Sequence, residues 1–461
     1  MDTRKKNKQI ENYLKSCNQF SESILDYTDI AQLTEIFQKR NTIKASPAIV
    51  KNLWDQFLKQ DKRAAKDIHF YLHIPFCGSR CTFCHNPSSK LTNKKALDDY
   101  LKNIEEEMRF YSSTFSSIKF SKLSIGGGTP NILSDTQIEK LLSNINKYFK
   151  FQDKCIKEVE FNPRFTSLEK LYAFKNSDFN RISFGVQTLH PAASVAANRS
   201  YTTYELVKNS VTLAKKAGFI NINLDLILGF AQESYPEFEK NLIDILKLEP
   251  FRTEIYVLRP PNQKYLNTYF DGDKTLFYKH QQSFVNNFLT NAGKIIKKID
   301  LNYVMGDPWG TQNDAYNDPL SRHYAYFIFI KNKFNYFSHH KNQFKPISCF
   351  GIGKHSQSRI FGEYEITQQH KLDVKKNIYK VKKADLDYEI KKYILKAFGS
   401  SAKLNLKSFS KIFNVDFLDK FPQAISILRE KKIIEIKDNF LFFIAKDKKE
   451  IFTYSMFFLL D

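Results

Sequence analysis

Three of the six cysteines, Cys77, Cys81 and Cys84, stand in a C-x3-C-x2-C spacing within Phe76-Cys77-Gly-Ser-Arg-Cys81-Thr-Phe-Cys84. Three thiolates on one tight loop suit three irons of a 4Fe–4S cluster and leave the fourth iron open. A closed zinc site is the competing reading of the same residues. It needs a fourth ligand, which His85 can supply, although zinc sites usually show paired C-x2-C spacings.

More residues with chemical potential follow downstream. In Gly126-Gly127-Gly128-Thr129-Pro130, consecutive glycines let a backbone approach a ligand without side-chain obstruction. An ordinary strand-to-helix turn is the plainer reading. In Glu158-Val-Glu160-Phe-Asn162, the two glutamates share one strand face, because side chains alternate with period two. A carboxylate facing a barrel interior is costly without a partner, and Glu158 suits a structural ion pair. Gln187 follows Phe184-Gly185-Val186, and Arg199 follows a dozen residues later. An arginine there can pair with a carboxylate through two parallel hydrogen bonds; a surface residue capping the next helix explains it equally well. Asp225 interrupts an apolar run, Leu224-Asp225-Leu-Ile-Leu, which is unusual for an unpaired carboxylate. A buried helix-capping aspartate is the alternative there.

These residues sit at the ends of short β-like runs. Strands are predicted over 68–74, 119–125, 156–161, 181–185, 221–226 and 253–258, and helices over 98–111, 135–148, 167–174, 203–217 and 236–246. Six such βα units imply a parallel sheet with helical crossovers. In a parallel barrel the functional residues lie at the C-terminal strand ends. The cysteine loop follows the first strand and the glycines follow the second. Glu160, Gln187 and Asp225 belong to the third, fourth and fifth, and Arg259-Pro260-Pro261 closes the sixth.

With Tyr71-Leu-His-Ile-Pro-Phe-Cys77 leading into the cysteine loop, the chain resembles the radical S-adenosylmethionine (SAM) superfamily. Within it, the resemblance is to the branch of the oxygen-independent coproporphyrinogen oxidase and the related haem chaperone. It implies an α/β fold: a partial (β/α)6 barrel with an N-terminal helical segment and a C-terminal winged-helix-like domain. It implies that Cys77, Cys81 and Cys84 hold a 4Fe–4S cluster, and that Tyr71, Gly126, Gly127, Glu160, Gln187, Arg199 and Asp225 bind the cofactor. In that assignment the glycines meet the methionine amino group, Arg199 its carboxylate and Asp225 the ribose. The implied activity is reductive cleavage of SAM followed by hydrogen-atom abstraction from a tetrapyrrole or other small molecule. An electron donor such as a flavodoxin or ferredoxin is the implied partner.

The sequence departs from the oxidase pattern at Asn86, where oxidases carry a further cysteine, and at Ser124-Ile125, where they carry His-Trp. Literal coproporphyrinogen oxidation is therefore not the expectation. Two alternatives stand beside the enzyme reading: a haem-binding trafficking protein, and a methyl or carbon–carbon bond transferase using a second SAM. The chaperones carry a His-Asn-x-x-Tyr motif. His339 falls at its histidine, while His340 and Gln343 replace the asparagine and the tyrosine. Haem at His339 is the sharper reading and solvated loop histidines the plainer one. Cys349-Phe-Gly351-Ile-Gly353 resembles the Gly-x-Gly segment that leads back toward the active site in this branch.

At 461 residues the chain has room for one large domain and one or two smaller ones. Residues 1–66 read as helices without a motif, notably over 31–38 and 47–59. The expected core spans 67–290, a substrate-proximal extension 291–380 and the C-terminal domain 381–461. Within the extension, 305–316 reads as a pocket-shaping loop. The C-terminal pattern is helices over 385–397, 405–412 and 416–431, then strands over 433–436 and 440–444. Such layouts often bind DNA, but here a covering role is preferred. The net charge of +22 is spread along the chain, so nucleic acid is not an expected partner. Cys17, Cys155 and Cys349 read as isolated structural thiols. No apolar signal region follows the basic N-terminus and no run of about 18 apolar residues occurs, so the expected location is the cytoplasm.

Overall fold

Six strands alternate with helices between residues 68 and 257: β1 (Ile68–Ile74), β2 (Lys119–Gly127), β3 (Lys150–Phe161), β4 (Arg181–Gln187), β5 (Asn221–Leu228) and β6 (Arg252–Val257). They lie side by side in chain order and every neighbouring pair is parallel. This computed structural model describes residues 41–60, 67–260, 262–299, 303–306, 327–331, 347–369, 377–401, 403–444, 454, 455 and 458. The crossover helices Lys94–Ser112, Asp135–Tyr148, Leu168–Asn176, Tyr204–Lys216 and Tyr235–Leu246 follow β1 to β5 in turn. Their starts are chemically marked. Asn93 accepts from Ala96 N, and Ser134 with Gln137 forms a reciprocal capping box, so otherwise orphaned amides find partners.

One face of the six strands is apolar and packs on the helices. Under β1 and β2 it is almost wholly aromatic: Phe70, Phe115, Phe120 and Phe149 surround Phe350, with ring centroids 4.3 Å apart for Phe115–Phe350 and 5.8 Å for Phe70–Phe350. Trp54, from helix Pro47–Lys59, closes the cluster at 5.7 Å from Phe350. Its burial ties the N-terminal helix and residue 350 into the core of the barrel.

The structure enlarges the expected sheet. Ser348–Ile352 adds a seventh parallel strand beside β1. Gln357–Ile360, Tyr364–Gln368 and Tyr379–Lys383 continue antiparallel from it, while Phe327–Lys331 and Tyr303–Gly306 continue antiparallel from β6. The partial barrel is thus the centre of a 13-stranded mixed sheet. The reading of residues 1–66 as helices alone is corrected by Thr42–Ala45, which pairs with Tyr379–Lys383 at the sheet edge; helix Pro47–Lys59 follows it as expected, and 31–38 lies outside the described residues. The loop expected over 305–316 begins instead as the end of strand Tyr303–Gly306, with the remainder outside the described residues. The expected boundary at 290/291 falls inside helix Lys274–Ile299, and that at 380/381 inside Tyr379–Lys383.

In the C-terminal region the element order is helix Leu386–Ser401, strand Lys403–Asn405, helix Leu406–Phe413, short helix Phe417–Lys420, helix Pro422–Glu430, and strands Ile434–Lys437 and Phe440–Phe443. The helix expected over 416–431 is broken at Phe421, whose φ of −127° and ψ of 52° reflect the steric demand of the following Pro422. Lys403–Asn405, a strand with no counterpart in the sequence reading, completes a three-stranded antiparallel sheet.

Candidate functional site

Strand register decides which polar residues meet. His69 faces Lys122, Tyr71 faces Ser124, and His73 faces Gly126 across β1 and β2. Ser124 faces Glu158, Glu158 faces Arg181, and Glu160 faces Ser183. Ser183 faces Asn223 and Gly185 faces Asp225, which faces Glu254. Because side chains alternate along each strand, all of these lie on one surface, opposite the apolar face that packs on the helices. Low in this surface, Glu158 sits 2.8 Å from Lys122 Nζ and 3.3 Å from Arg181 Nη1, and accepts from Ser124 Oγ at 2.7 Å. Burial alone would raise its carboxyl, but the two cations hold it down at about 2. Glu158 is thereby an ion-pair member, as its position suggested.

The cysteine loop lies over the C-terminal end of this surface. It is pinned on one side by Ser89 N donating to Pro75 O (2.7 Å) and Leu91 N to Cys77 O (2.9 Å). On the other side, Thr82 Oγ1 donates to Ala196 O (2.9 Å) and Asn198 Nδ2 to Arg80 O (2.8 Å). Gly78 lies against the Phe165 ring, where a Cβ would come within 2.8 Å. Cys77, Cys81 and Cys84 are all half-buried and form no disulfide. Burial pushes the Cys77 and Cys84 thiols up, and each is further raised by its neighbouring cysteines. Among the described residues no three His, Cys, Asp or Glu side chains converge as they would around a single ion. His85, the candidate fourth zinc ligand, is exposed.

Beside the cysteine loop, the glycine run forms a cradle. Gly128 N donates to Ile74 O at 2.7 Å and Thr129 N to Phe76 O at 2.8 Å, which splices the run to the loop. Gly127 N donates to Glu160 Oε2 at 3.2 Å. Gly127 has a φ of +109°, and a Cβ there would lie 2.5 Å from the His73 ring, so only glycine fits. Tyr71 Oη lies 2.8 Å from His73 Nδ1, and His73 Nε2 lies 2.9 Å from Pro87 O. Burial lowers the His73 imidazole to about 4. It is therefore neutral, with Nε2–H donating to the cysteine loop and Nδ1 accepting from Tyr71. His73 and Asn86, whose Nδ2 donates to Gly127 O at 3.2 Å, are site residues the sequence reading quoted without assigning a role.

Further around, Gln187 ends β4 with a φ of +73° at a register irregularity, and its side-chain amide folds back over Gly185. Arg199 is buried, which removes the surface-cap explanation. Its Nη1 lies 3.5 Å from Cys81 Sγ and its Nη2 donates to Gly185 O. Asp225 is no helix cap either. It accepts from Ser183 Oγ at 2.8 Å and from Asn223 Nδ2 at 2.6 Å, and burial, then the charge of Glu254, pushes its carboxyl well above the usual range. Glu254 is held by Arg252 at 2.8 Å and accepts from Tyr256 Oη. The β6 residues Arg252, Glu254 and Tyr256 went unnoticed in the sequence, although they carry the same period-two polar signal as Glu158 and Glu160.

Tyr71, Gly126, Gly127, Glu160, Gln187 and Asp225 thus belong to β1, β2, β3, β4 and β5, and Arg199, beyond β4, reaches Cys81. The set suits a cluster with an open iron and a polar, zwitterionic cofactor: soft ligands on a clamped loop, beside a backbone cradle whose glycines admit no side chain. His339 and His340 lie outside the described residues. Cys155 and Cys349 are buried and form no disulfide, and Cys17 lies outside the described residues.

Residues 71–245 match the Radical SAM superfamily. The chain is 29% identical over 211 residues to the oxygen-independent coproporphyrinogen III oxidase of Salmonella typhimurium, covering 46% of this chain and 45% of that protein. It is 33% identical over 189 residues to the heme chaperone HemW of Bacillus subtilis, covering 41% and 49%. The chain thus spans about half the length of the curated relatives it matches. Among solved structures, coproporphyrinogen III oxidase HemN from Escherichia coli shares the fold at 19% identity, with a TM-score of 0.66 over 88% of this chain and 93% of that one. Residues 71–245 thus carry the match to the Radical SAM superfamily, and the chain is similar to oxygen-independent coproporphyrinogen III oxidases and to HemW.

Proposed function

We propose that this chain is a radical SAM enzyme that starts hydrogen-atom abstraction on a tetrapyrrole or other small-molecule substrate. The carrying observation is that the cysteine loop is spliced to the glycine run by Gly128 N and Thr129 N and meets Arg199 at Cys81. Cys77, Cys81 and Cys84 would hold a 4Fe–4S cluster, which when loaded supplies the electron for reductive cleavage of SAM. The Gly126–Gly127 backbone offers a close approach for the cofactor's methionine end, with Glu160 beside it as a carboxylate partner for its amino group. Asp225, fixed by Ser183 and Asn223, is a candidate hydroxyl-binding group. Neutral His73 links the Tyr71 hydroxyl to the cysteine loop, so that loop and cradle keep one geometry. Arg252 holds Glu254 beside Asp225 and keeps that wall polar. The protein's part is to position and to exclude solvent, while the cofactor carries the hard step.

The substrate class rests on relatives of two kinds, an oxidase of coproporphyrinogen and a heme chaperone. Asn86, which donates to Gly127 O, fills the position of the further oxidase cysteine and supports a reaction other than literal coproporphyrinogen oxidation. The test is anaerobic reconstitution with iron and sulfide, reduction with dithionite, addition of SAM, and assay of 5′-deoxyadenosine and methionine. Product from the wild type and none from Cys81→Ala supports the enzyme. A reconstituted cluster with SAM left intact, even with porphyrinogens and haem present, overturns it in favour of haem trafficking.

A further inference from the structure

Arg199 spends its donors in a way the carboxylate-pairing assignment does not anticipate. The guanidinium bridges Cys81 Sγ, 3.5 Å from Nη1, and the β4 carbonyl of Gly185, bound by Nη2. Its carbon lies 5.4 Å from the Tyr201 ring centroid, and Arg164 lies 4.9 Å from the same ring. Tyr201 is itself fixed by Asn162 Nδ2, which donates to its hydroxyl at 2.9 Å. The backbone around Arg199 is equally constrained: Asn198 is left-handed at φ 57° and ties to Arg80 O inside the cysteine loop. The guanidinium is thus held by Cys81, by the Gly185 carbonyl and by the Tyr201 ring, and its buried Nε has no hydrogen-bond partner among the described residues.

We propose that Arg199 is a positioning residue that tunes the cluster by donating an N–H···S hydrogen bond to Cys81, with Tyr201 holding the guanidinium in place. The inference rests on the cluster assignment above. Iron-sulfur potentials respond to hydrogen bonds on the ligating sulfurs and to nearby charge. The reduced cluster is one electron more negative than the oxidised one, so a cationic donor at Cys81 stabilises the reduced form and raises the potential. Tyr201 contributes indirectly: a ring face beside a guanidinium favours one orientation of its plane.

The experiment is an anaerobic redox titration of the reconstituted full chain, without SAM, followed by electron paramagnetic resonance. Working without SAM separates this role from cofactor binding. Arg199→Met is expected to lower the midpoint by at least a tenfold change in the reduced-to-oxidised ratio at fixed potential, about 59 mV for a one-electron couple. Arg199→Lys keeps the charge but loses the planar fork, so its shift is smaller in the same direction. Tyr201→Leu also shifts the midpoint down, by less than Arg199→Met. An intact Arg199→Met cluster whose midpoint matches the wild type overturns the proposal and leaves Arg199 a clamp between loop and strand. If Arg199→Met assembles no cluster, Tyr201→Leu decides: an unchanged midpoint overturns the proposal and a lowered one supports it. A wild-type chain that takes up no 4Fe–4S cluster overturns both this inference and the function it rests on.

Discussion

Glu160 closes over the glycine pair. Its Oε2 accepts the Gly127 N–H at 3.2 Å, and a Cβ placed on Gly126 would lie 2.7 Å from its carboxyl carbon. The carboxylate can stay where it is only because residue 126 has no side chain. Gly126→Ala therefore displaces the end of a flexible side chain and leaves the strand intact. A displacement of about 1 Å at a positioning group can cost about 10²-fold in rate, and a loss of that order in SAM cleavage, with unchanged thermal unfolding, is the expectation. Activity within twofold of the wild type would show that Glu160 does not act at this site.

Glu158 is the compensating anion for two buried cations, and its carboxyl lies at about 2 against a usual 4.5. Its stabilising contribution is fully present above pH 4.5 and is lost as pH falls through 2. Glu158→Ala removes the carboxylate from beside Lys122 and Arg181, whose side chains are only 10% and 7% exposed. Removing one partner of a buried pair costs about 3–5 kcal/mol. Urea unfolding at pH 7 measures the loss; a change below about 1 kcal/mol would mean that water already screens the pair.

Glu107 titrates in the opposite sense. It lies inside helix Lys94–Ser112, fully enclosed, and accepts from Gly353 N (3.2 Å), Gln368 Nε2 (3.4 Å) and Tyr379 Oη (3.1 Å). Burial, only partly offset by these hydrogen bonds, raises its carboxyl from 4.5 to about 7. The folded state keeps a proton that the unfolded chain has released. Stability from this group is full below pH 4.5 and declines as pH rises to about 7, by about 3 kcal/mol in all. Glu107→Gln should flatten that decline, read from unfolding free energies at pH 5 and pH 8. Equal slopes in the two proteins would remove Glu107 as its source.

The C-terminal helix Leu386–Ser401 is tied to strand Gln357–Ile360 by Arg359, whose Nε donates to Glu389 Oε1 at 2.9 Å and whose Nη2 donates to Oε2. Both side chains are almost wholly buried. Glu389→Ala is expected to destabilise the protein by about 3–5 kcal/mol, whereas the apolar pair Arg359→Met with Glu389→Leu recovers most of it. Limited proteolysis of the C-terminal region reports the same ranking. A double variant no better than the single one would show that the site needs charge.

The legible parts of this protein were those encoded locally. β1 reads directly from Ile68–Ile74 because alternate residues are apolar and the run is bounded by turns. β3 begins earlier than the 156–161 pattern because Lys150 to Lys154 are mostly exposed, and an exposed strand leaves no hydrophobic period to read. Thr42–Ala45 is likewise exposed along three of its four residues. It is a strand only because Tyr379–Lys383, more than 330 residues away, offers its edge.

The site divides along the same line. The spacing of Cys77, Cys81 and Cys84, the glycine run, and the placement of Glu160, Gln187 and Asp225 at successive strand ends are properties of the sequence alone, since strand direction and side-chain alternation follow from local pattern. Tertiary structure alone decided that Arg199 turns to Cys81, 118 residues earlier, that His73 joins Tyr71 to the loop, and that Arg252 and Glu254 complete the wall beside Asp225. Those pairings depend on the register between strands and on the clamping of loops by distant carbonyls. A one-residue slip would turn each of these side chains to the opposite face.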